Sequence, residues 1–390
     1  MDSVRRLVVI SAVVISMVLI WGLSWHEDNW AGKTMGTSYS VHIFRPGFLQ
    51  SSAEISSADM PDTEIPETME LQKVLEEDLA RVNQSMSTYI PDSEISKFNQ
   101  IAAGDTCHPV SQDFMNVLTI AEKVYQDTDG YFDPTVGPLV DLWGFGGKSK
   151  LTLDWAPPSE DAIAETMKKV GFNSLELHKE DLCVIKRADV EVDLSAVAKG
   201  YGVDVLLNTL NKAGIANALV EIGGEVHVSG QKMPLRPWMK GAPWRIMIEK
   251  PSKDMVSIPV MTDALKEEIN APFSLKDQAV ATSGNYRNYY EYKGQSFSHI
   301  INPKTGYPLE HQHDKSQLTS VSIFADSTGI ADGYATGLFV LGLEAAQDVA
   351  IRQGLEVVLV YEDQSTKSFD VWVSPAYKKG VSKTRSHVES

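Results

Sequence analysis

This sequence predicts an α+β fold with a mostly antiparallel sheet core flanked by amphipathic helices. Strand-like runs crowd the second half of the chain and follow one another across short turns, which favours antiparallel pairing over a parallel βαβ array. Three segments of the first half carry apolar residues at helical spacing, as helices that cover a sheet must. With 43% of its 390 residues apolar and no internal repeat, the chain can bury a large core.

The elements follow in order. Arg5 and Arg6 precede an uncharged run over residues 7–25, LVVISAVVISMVLIWGLSW, about as long as a hydrocarbon core is thick and positively charged on its N-terminal side. Residues 1–30 are therefore a signal or anchor segment. No small-x-small cleavage site and no lipid-attachment Cys follows, which favours an uncleaved anchor; a cleaved signal peptide is the alternative. Both export the body, residues 31–377, and we expect it on the periplasmic face of the inner membrane. MGTSYSVHIF (35–44) reads as a strand, and 45–66, rich in Ser, Asp, Glu and Pro, as a loop. Leu71, Val74, Leu75, Leu79 and Val82 predict a helix over 67–82. Phe114, Val117, Leu118, Ala121 and Tyr125 predict another after an N-capping Ser111, and a third runs over 159–170 to Gly171. Strands are expected at EVD (191–193), ALVEIG, EVHVSG, WRIMIEK, AVATSG, YYEYKGQSFSHII, SVSIFA, LEVVLVYE and SFDVWV. Residues 378–390 form a polar, frayed tail.

A formal net charge of -17, without a basic stripe to neutralise phosphates, argues against nucleic-acid binding and points to small molecules or proteins as partners. Cys107 and Cys183 lack CxxC spacing; in an oxidising compartment they either pair or stay as two buried thiols.

Three stretches carry candidate chemistry. In DLSAVAKGYGVD (193–204), Asp193 ends a strand and Ser195 can cap a helix. Lys199 then lies about one turn inside, near the positive end of the dipole, with Gly200 and Gly202 allowing close approach. That suits an anion; a capped helix with a surface lysine is the plainer alternative. In ADGYATGLFVLG (331–342), Asp332 and Thr336 share a helical face as hard oxygen donors fit for Mg²⁺, or else simply bond each other. In FSHIINPKTGYP (297–308), His299 ends a strand before an Asn-Pro-Lys-Thr-Gly turn, at the rim of a sheet. Together they outline phosphoryl or nucleotidyl chemistry.

These stretches, with MGTSYSV, MSTYIPDSEISKFN, GYFDPTVGPLVDLWGFG, EIGGEVHVSG and ATSGNYRNYYEYKGQ, resemble the ApbE family of FAD:protein FMN transferases over roughly residues 34–377. The resemblance implies an ApbE-like fold and a Mg²⁺-dependent enzyme. It would split FAD at the pyrophosphate, move FMN to a threonine hydroxyl of a target protein and release AMP. Carried over by motif, Met35, Ser87, Thr88, Tyr89, Phe132, Asp133, Asp193, Lys199 and Ile301 would contact FAD. The carbonyl of Ala196 and the side chains of Asp332 and Thr336 would hold Mg²⁺. Some members have an Asp directly before that Thr, where this chain has Ala335. His299 would take the acceptor's proton. Aromatic residues of MSTY, GYFD and SGNYRNYY would hold the flavin and adenine rings or serve the core. The implied targets are flavoprotein subunits of membrane respiratory complexes with an S/T-G-A-T type acceptor. Water in place of that hydroxyl would make an FAD pyrophosphatase, and a non-catalytic flavin-binding protein is a third reading.

Overall fold

The structure, a computed structural model, describes residues 25–46, 68–146, 155–234, 239–247, 273–284, 289–293, 295–310, 316–363 and 365–380. The expected apolar run (7–25, save its last residue) and most of the loop after it lie outside the described residues. Among the described residues no helix is long and apolar enough to cross a membrane.

Among the described residues, eight strands build the central sheet: β1 Trp25–Thr34, β2 Thr37–Pro46, β3 Asn217–Ile222, β4 Glu225–Ser229, β5 Gln278–Gly284, β6 Gln317–Ala325, β7 Glu356–Asp363 and β8 Ser368–Val373. Each pairs antiparallel with the next, so the expected antiparallel core is present as a meander in chain order. Two tight hairpins need left-handed backbone. Met35 and Gly36 (φ 49° and 74°) join β1 to β2, and Gly223 and Gly224 (φ 62° and 105°) join β3 to β4.

β1 starts at Trp25, so residues 25–30, read from sequence as part of the anchor segment, lie in the sheet. The EVD stretch at 191–193 is not a strand: the Asp193 N–H donates to the carbonyl of Pro134 at 2.6 Å, outside any ladder. The helices that cover the sheet are α1 Thr68–Met86, α2 Gln112–Asp127, α3 Ser195–Lys212 and α4 Thr328–Leu341. Ser111 caps α2 as expected, its hydroxyl accepting the Phe114 N–H. The third expected helix is shorter, Glu160–Met167, with Ser159 as its cap.

Alternation along the strands divides the core in two. Val41, Ile43, Val220, Ile222, Ala281, Val321, Ile323, Val357 and Leu359 face the helices. Phe44, Val226, Val228, Val280, Phe324 and Val358 face the opposite way, toward Trp244, Leu275 and Tyr377. The same parity places Glu225 and His227 of β4 on the helix face, under α3 and α4, and there the polar groups collect.

Cys107 and Cys183 form a disulfide across a small three-stranded sheet (Cys107–Pro109, Leu175–His178, Cys183–Lys186). It spans a sequence separation of 76 and stabilises the fold by about 4 kcal/mol in the chain-entropy account.

Candidate active site

Two crossing helices make the first wall. A Cβ on Gly200 would fall onto the backbone carbonyl of Thr328 and come within 2.9 Å of the Asp332 Cβ, so only glycine lets α3 and α4 approach this closely. The Gly200 N–H, whose place in a regular helix is against the carbonyl of Ala196, reaches Asp332 Oδ2 at 3.0 Å. Ser195 does not cap α3: the helix begins after Leu194 without a side-chain cap, and Asp193 Oδ1 instead accepts the Ser195 N–H at 2.9 Å.

Thr328, Asp332 and Thr336 lie four apart along α4 and each meets a polar partner. Lys199 Nζ is 3.5 Å from Asp332 Oδ2 and 3.1 Å from Glu225 Oε1. Thr336 Oγ1 is 3.1 Å from Ser283 Oγ on β5. At the start of α4, Asp204 accepts from the Thr328 and Gly329 N–H groups and from the hydroxyls of Ser327 and Thr328, with His227 Nδ1 at 3.1 Å. Burial would raise the Asp204 carboxyl, but His227 and these donors hold it below its ordinary value.

Burial pushes the other two carboxyls up. Glu225 rises to about 8, with the charge of Asp332 adding to the rise and Lys199 opposing it. Asp332 rises for the same first reason, against the pull of Lys199 and the Gly200 N–H. Lys199, which burial alone would lower, is held above its usual value by Asp332 and Glu225. One ammonium thus faces two buried carboxyls, and with both ionised the cluster carries excess negative charge, the setting for a cation.

The second wall is a hairpin. His299 lies on the strand Gln295–Ile301, paired with Tyr289–Tyr292 and Pro308–Glu310. The fully buried Trp143 donates its indole N–H to the carbonyl of Gly306 at 2.8 Å and stacks on Phe297 with ring centroids 5.6 Å apart. Phe145 meets the His299 ring edge-on at 6.5 Å. The turn is closed by the Asn302 N–H to the Tyr307 carbonyl and the Gly306 N–H back to Asn302, both 2.8 Å.

Both walls border one cavity of about 1480 Å³. Thr88, Tyr89, Phe132, Asp133, Asp193, Ala196, Lys199, His299, Ile301, Asp332 and Thr336 line it. Met35 and Ser87 do not. Met35 packs behind the wall, where a Cβ on Gly202 would meet its methyl at 3.1 Å, and the Ser87 N–H donates to Asn83. Asp133 borders the cavity with its carboxylate already engaged by the N–H and hydroxyl of Thr135 and the Phe172 N–H. Burial raises this carboxyl despite those bonds. In SGNYRNYY, residues 285–288 and the side chains of Tyr289 and Tyr290 lie outside what is described.

Residues 35–359 match the ApbE family.

The chain belongs to the ApbE family.

The FAD:protein FMN transferase of Haemophilus influenzae is 36% identical to it over 352 residues, 90% of each chain. That of Vibrio cholerae is 36% identical over 354 residues, covering 90% of this chain and 92% of the relative. The solved flavin transferase ApbE from Vibrio cholerae aligns with a TM-score of 0.72 at 32% identity, covering 91% of this chain and 99% of that one.

For this ApbE-family chain the Mg²⁺ set expected from sequence can be tested on the residues themselves. Among the described residues no cluster of three or more His, Cys, Asp or Glu could hold a metal. The expected set needs none, since it joins one carboxylate to a hydroxyl and a backbone carbonyl, all hard oxygens. Ala196, Asp332 and Thr336 line the same cavity, beside a lysine shared by two carboxyl groups, and as hard oxygen donors they fit the ion. Glu225, Asp204 and His227 were not singled out from sequence.

Proposed function

We propose that this enzyme is an FAD:protein FMN transferase: it moves the FMN part of FAD to a threonine hydroxyl of a target flavoprotein, with Mg²⁺ required and AMP released. The observation that carries the reading is the shared cavity, lined by His299 on one side and by Lys199, Asp332 and Thr336 on the other. Simple flavin binding needs neither a proton acceptor nor a cation site.

The carbonyl of Ala196 and the side chains of Asp332 and Thr336 would hold Mg²⁺. When bound, the ion neutralises charge on the pyrophosphate. Lys199 adds a positive charge beside the same wall. Across the cavity, His299 would accept the proton of the acceptor hydroxyl. The acceptor oxygen then bonds to the FMN phosphorus, and the bond from that phosphorus to the bridging oxygen breaks. AMP leaves with the electron pair.

Residues 1–24 would export the domain and hold it at the periplasmic face of the inner membrane, beside flavoprotein subunits of respiratory complexes. Incubation of the full chain with FAD, Mg²⁺ and an acceptor carrying an S/T-G-A-T type threonine tests the reaction. Intact mass should show one FMN added to the acceptor for each AMP released. AMP and free FMN with no added mass would instead mark a pyrophosphatase, and unchanged FAD a binding protein.

A further inference from the structure

We propose that Glu225 is itself a ligand of the divalent-cation site, supplying a second carboxylate beside Asp332. This rests on the Mg²⁺ reading above.

Glu225 opens β4 directly after the Gly223-Gly224 turn and lines the cavity with Ala196, Asp332 and Thr336. Its side chain is 5% exposed. Oε1 is satisfied by Lys199 at 3.1 Å, while Oε2 is buried with no hydrogen-bond partner among the described residues. A buried carboxylate oxygen without a donor is costly, and native structures seldom keep one unless a water or an ion meets it. β4 is paired on both sides, with β3 and β5, which fixes the face on which Glu225 stands.

A role as counterion to Lys199 alone would account for Oε1 and leave Oε2 unexplained. Lys199 supplies one positive charge against two carboxyl groups, so both can be ionised together only with a second cation beside them. Position 335 offers no alternative, because Ala335 is fully buried in the apolar core with Leu338 and Phe339. Two carboxylates, a hydroxyl and a carbonyl form a hard-oxygen set suited to Mg²⁺ or Mn²⁺, with water and substrate phosphate for the rest of the shell.

The test is binding of Mn²⁺ to the full chain without FAD, followed by calorimetry and by the loss of the free-ion EPR signal. Wild type should bind and Asp332→Ala should not. Glu225→Gln, nearly isosteric, should weaken binding roughly tenfold or more, since affinity follows ligand charge. A double-mutant cycle separates direct from indirect action. If Glu225 touches the ion, Glu225→Gln weakens binding equally in a Lys199→Met background. An effect that vanishes there, or Glu225→Gln binding like wild type while Asp332→Ala does not bind, overturns the proposal and leaves the Mg²⁺ reading standing. Absence of binding by wild type overturns both. Should Glu225→Gln fail to fold by its melting curve, Glu225→Asp decides: the shortened arm must weaken binding at least a few fold, and unchanged affinity ends the proposal.

Discussion

The two walls of the cavity are built differently. The α3/α4 wall rests on backbone contact: Gly200 lies against Thr328, and Asp204 gathers the first amides of α4, so Asp332 and Thr336 are fixed by the crossing of two core helices. The hairpin wall hangs on side chains, chiefly the Trp143 indole bonded to Gly306 and stacked on Phe297. On the proposed reading, cation binding and proton removal fall to separate structural units, so damage to one should spare the other.

The largest effect should follow Asp332→Ala, which removes the carboxylate at the centre of the helix wall. FMN transfer should fall at least about 10³-fold, with the hairpin unaffected. Thr336→Val should be milder, because a hydroxyl is a weaker ligand than a carboxylate. Single-turnover transfer at ordinary Mg²⁺ checks both, and a normally active Asp332→Ala protein would remove the cation assignment.

Gly200→Ala attacks the same wall through packing. Its new Cβ meets backbone rather than a flexible side chain, so the helices must part, at about 3 kcal/mol of stability. Denaturant unfolding measures that loss, and Mn²⁺ affinity should drop with it. Retained stability would mean the crossing is looser than its geometry.

Much of this was legible in sequence, for identifiable reasons. The glycines beside Lys199 announce a close approach and the Asp332/Thr336 spacing a shared polar helix face, though not that the two helices cross, and turn residues announce the hairpin of His299. β1 was not legible, because as an edge strand it alternates exposed with half-buried residues and shows little apolar period. Glu225 and His227 were hidden for a related reason. In EVHVSG they alternate with Val226 and Val228, which reads as a solvent-facing set until α3 and α4 are seen to cover that face. The absent cap at Ser195 reflects where the helix starts: Leu194 is the residue before it, Ser195 is already its first residue, and the Val197 and Ala198 N–H groups donate to the Leu194 carbonyl.

Asp204→Asn tests whether charge or shape anchors α4. The loss should be about 2 kcal/mol near neutral pH, as for hydrogen bonds to an ionised acceptor. The Asp204 carboxyl is depressed in the fold, so its stabilisation is complete above its unfolded value near 3.8 and is lost as pH falls below it. Stability of the wild type should therefore decline more steeply below about pH 3.8 than that of Asp204→Asn. Parallel curves would assign the anchoring to shape.

Trp143→Phe makes the smallest change and the most selective one. It deletes the bond to Gly306 at a cost of about 1 kcal/mol. Transfer should fall while Mn²⁺ affinity stays that of wild type; an equal fall in both would dissolve the distinction between the walls.

The most direct measurement is the pH dependence of single-turnover FMN transfer for wild type and His299→Asn, with FAD affinity and melting temperature taken on the same preparations. If His299 accepts the threonine proton, the wild-type rate rises with pH as one group loses its proton and then levels off. His299→Asn should be slower by roughly 10²-fold or more and lack that limb, with FAD affinity within a few fold and the fold intact. A His299→Asn protein that transfers FMN with the wild-type pH profile, or that loses FAD binding and stability together, would contradict the account.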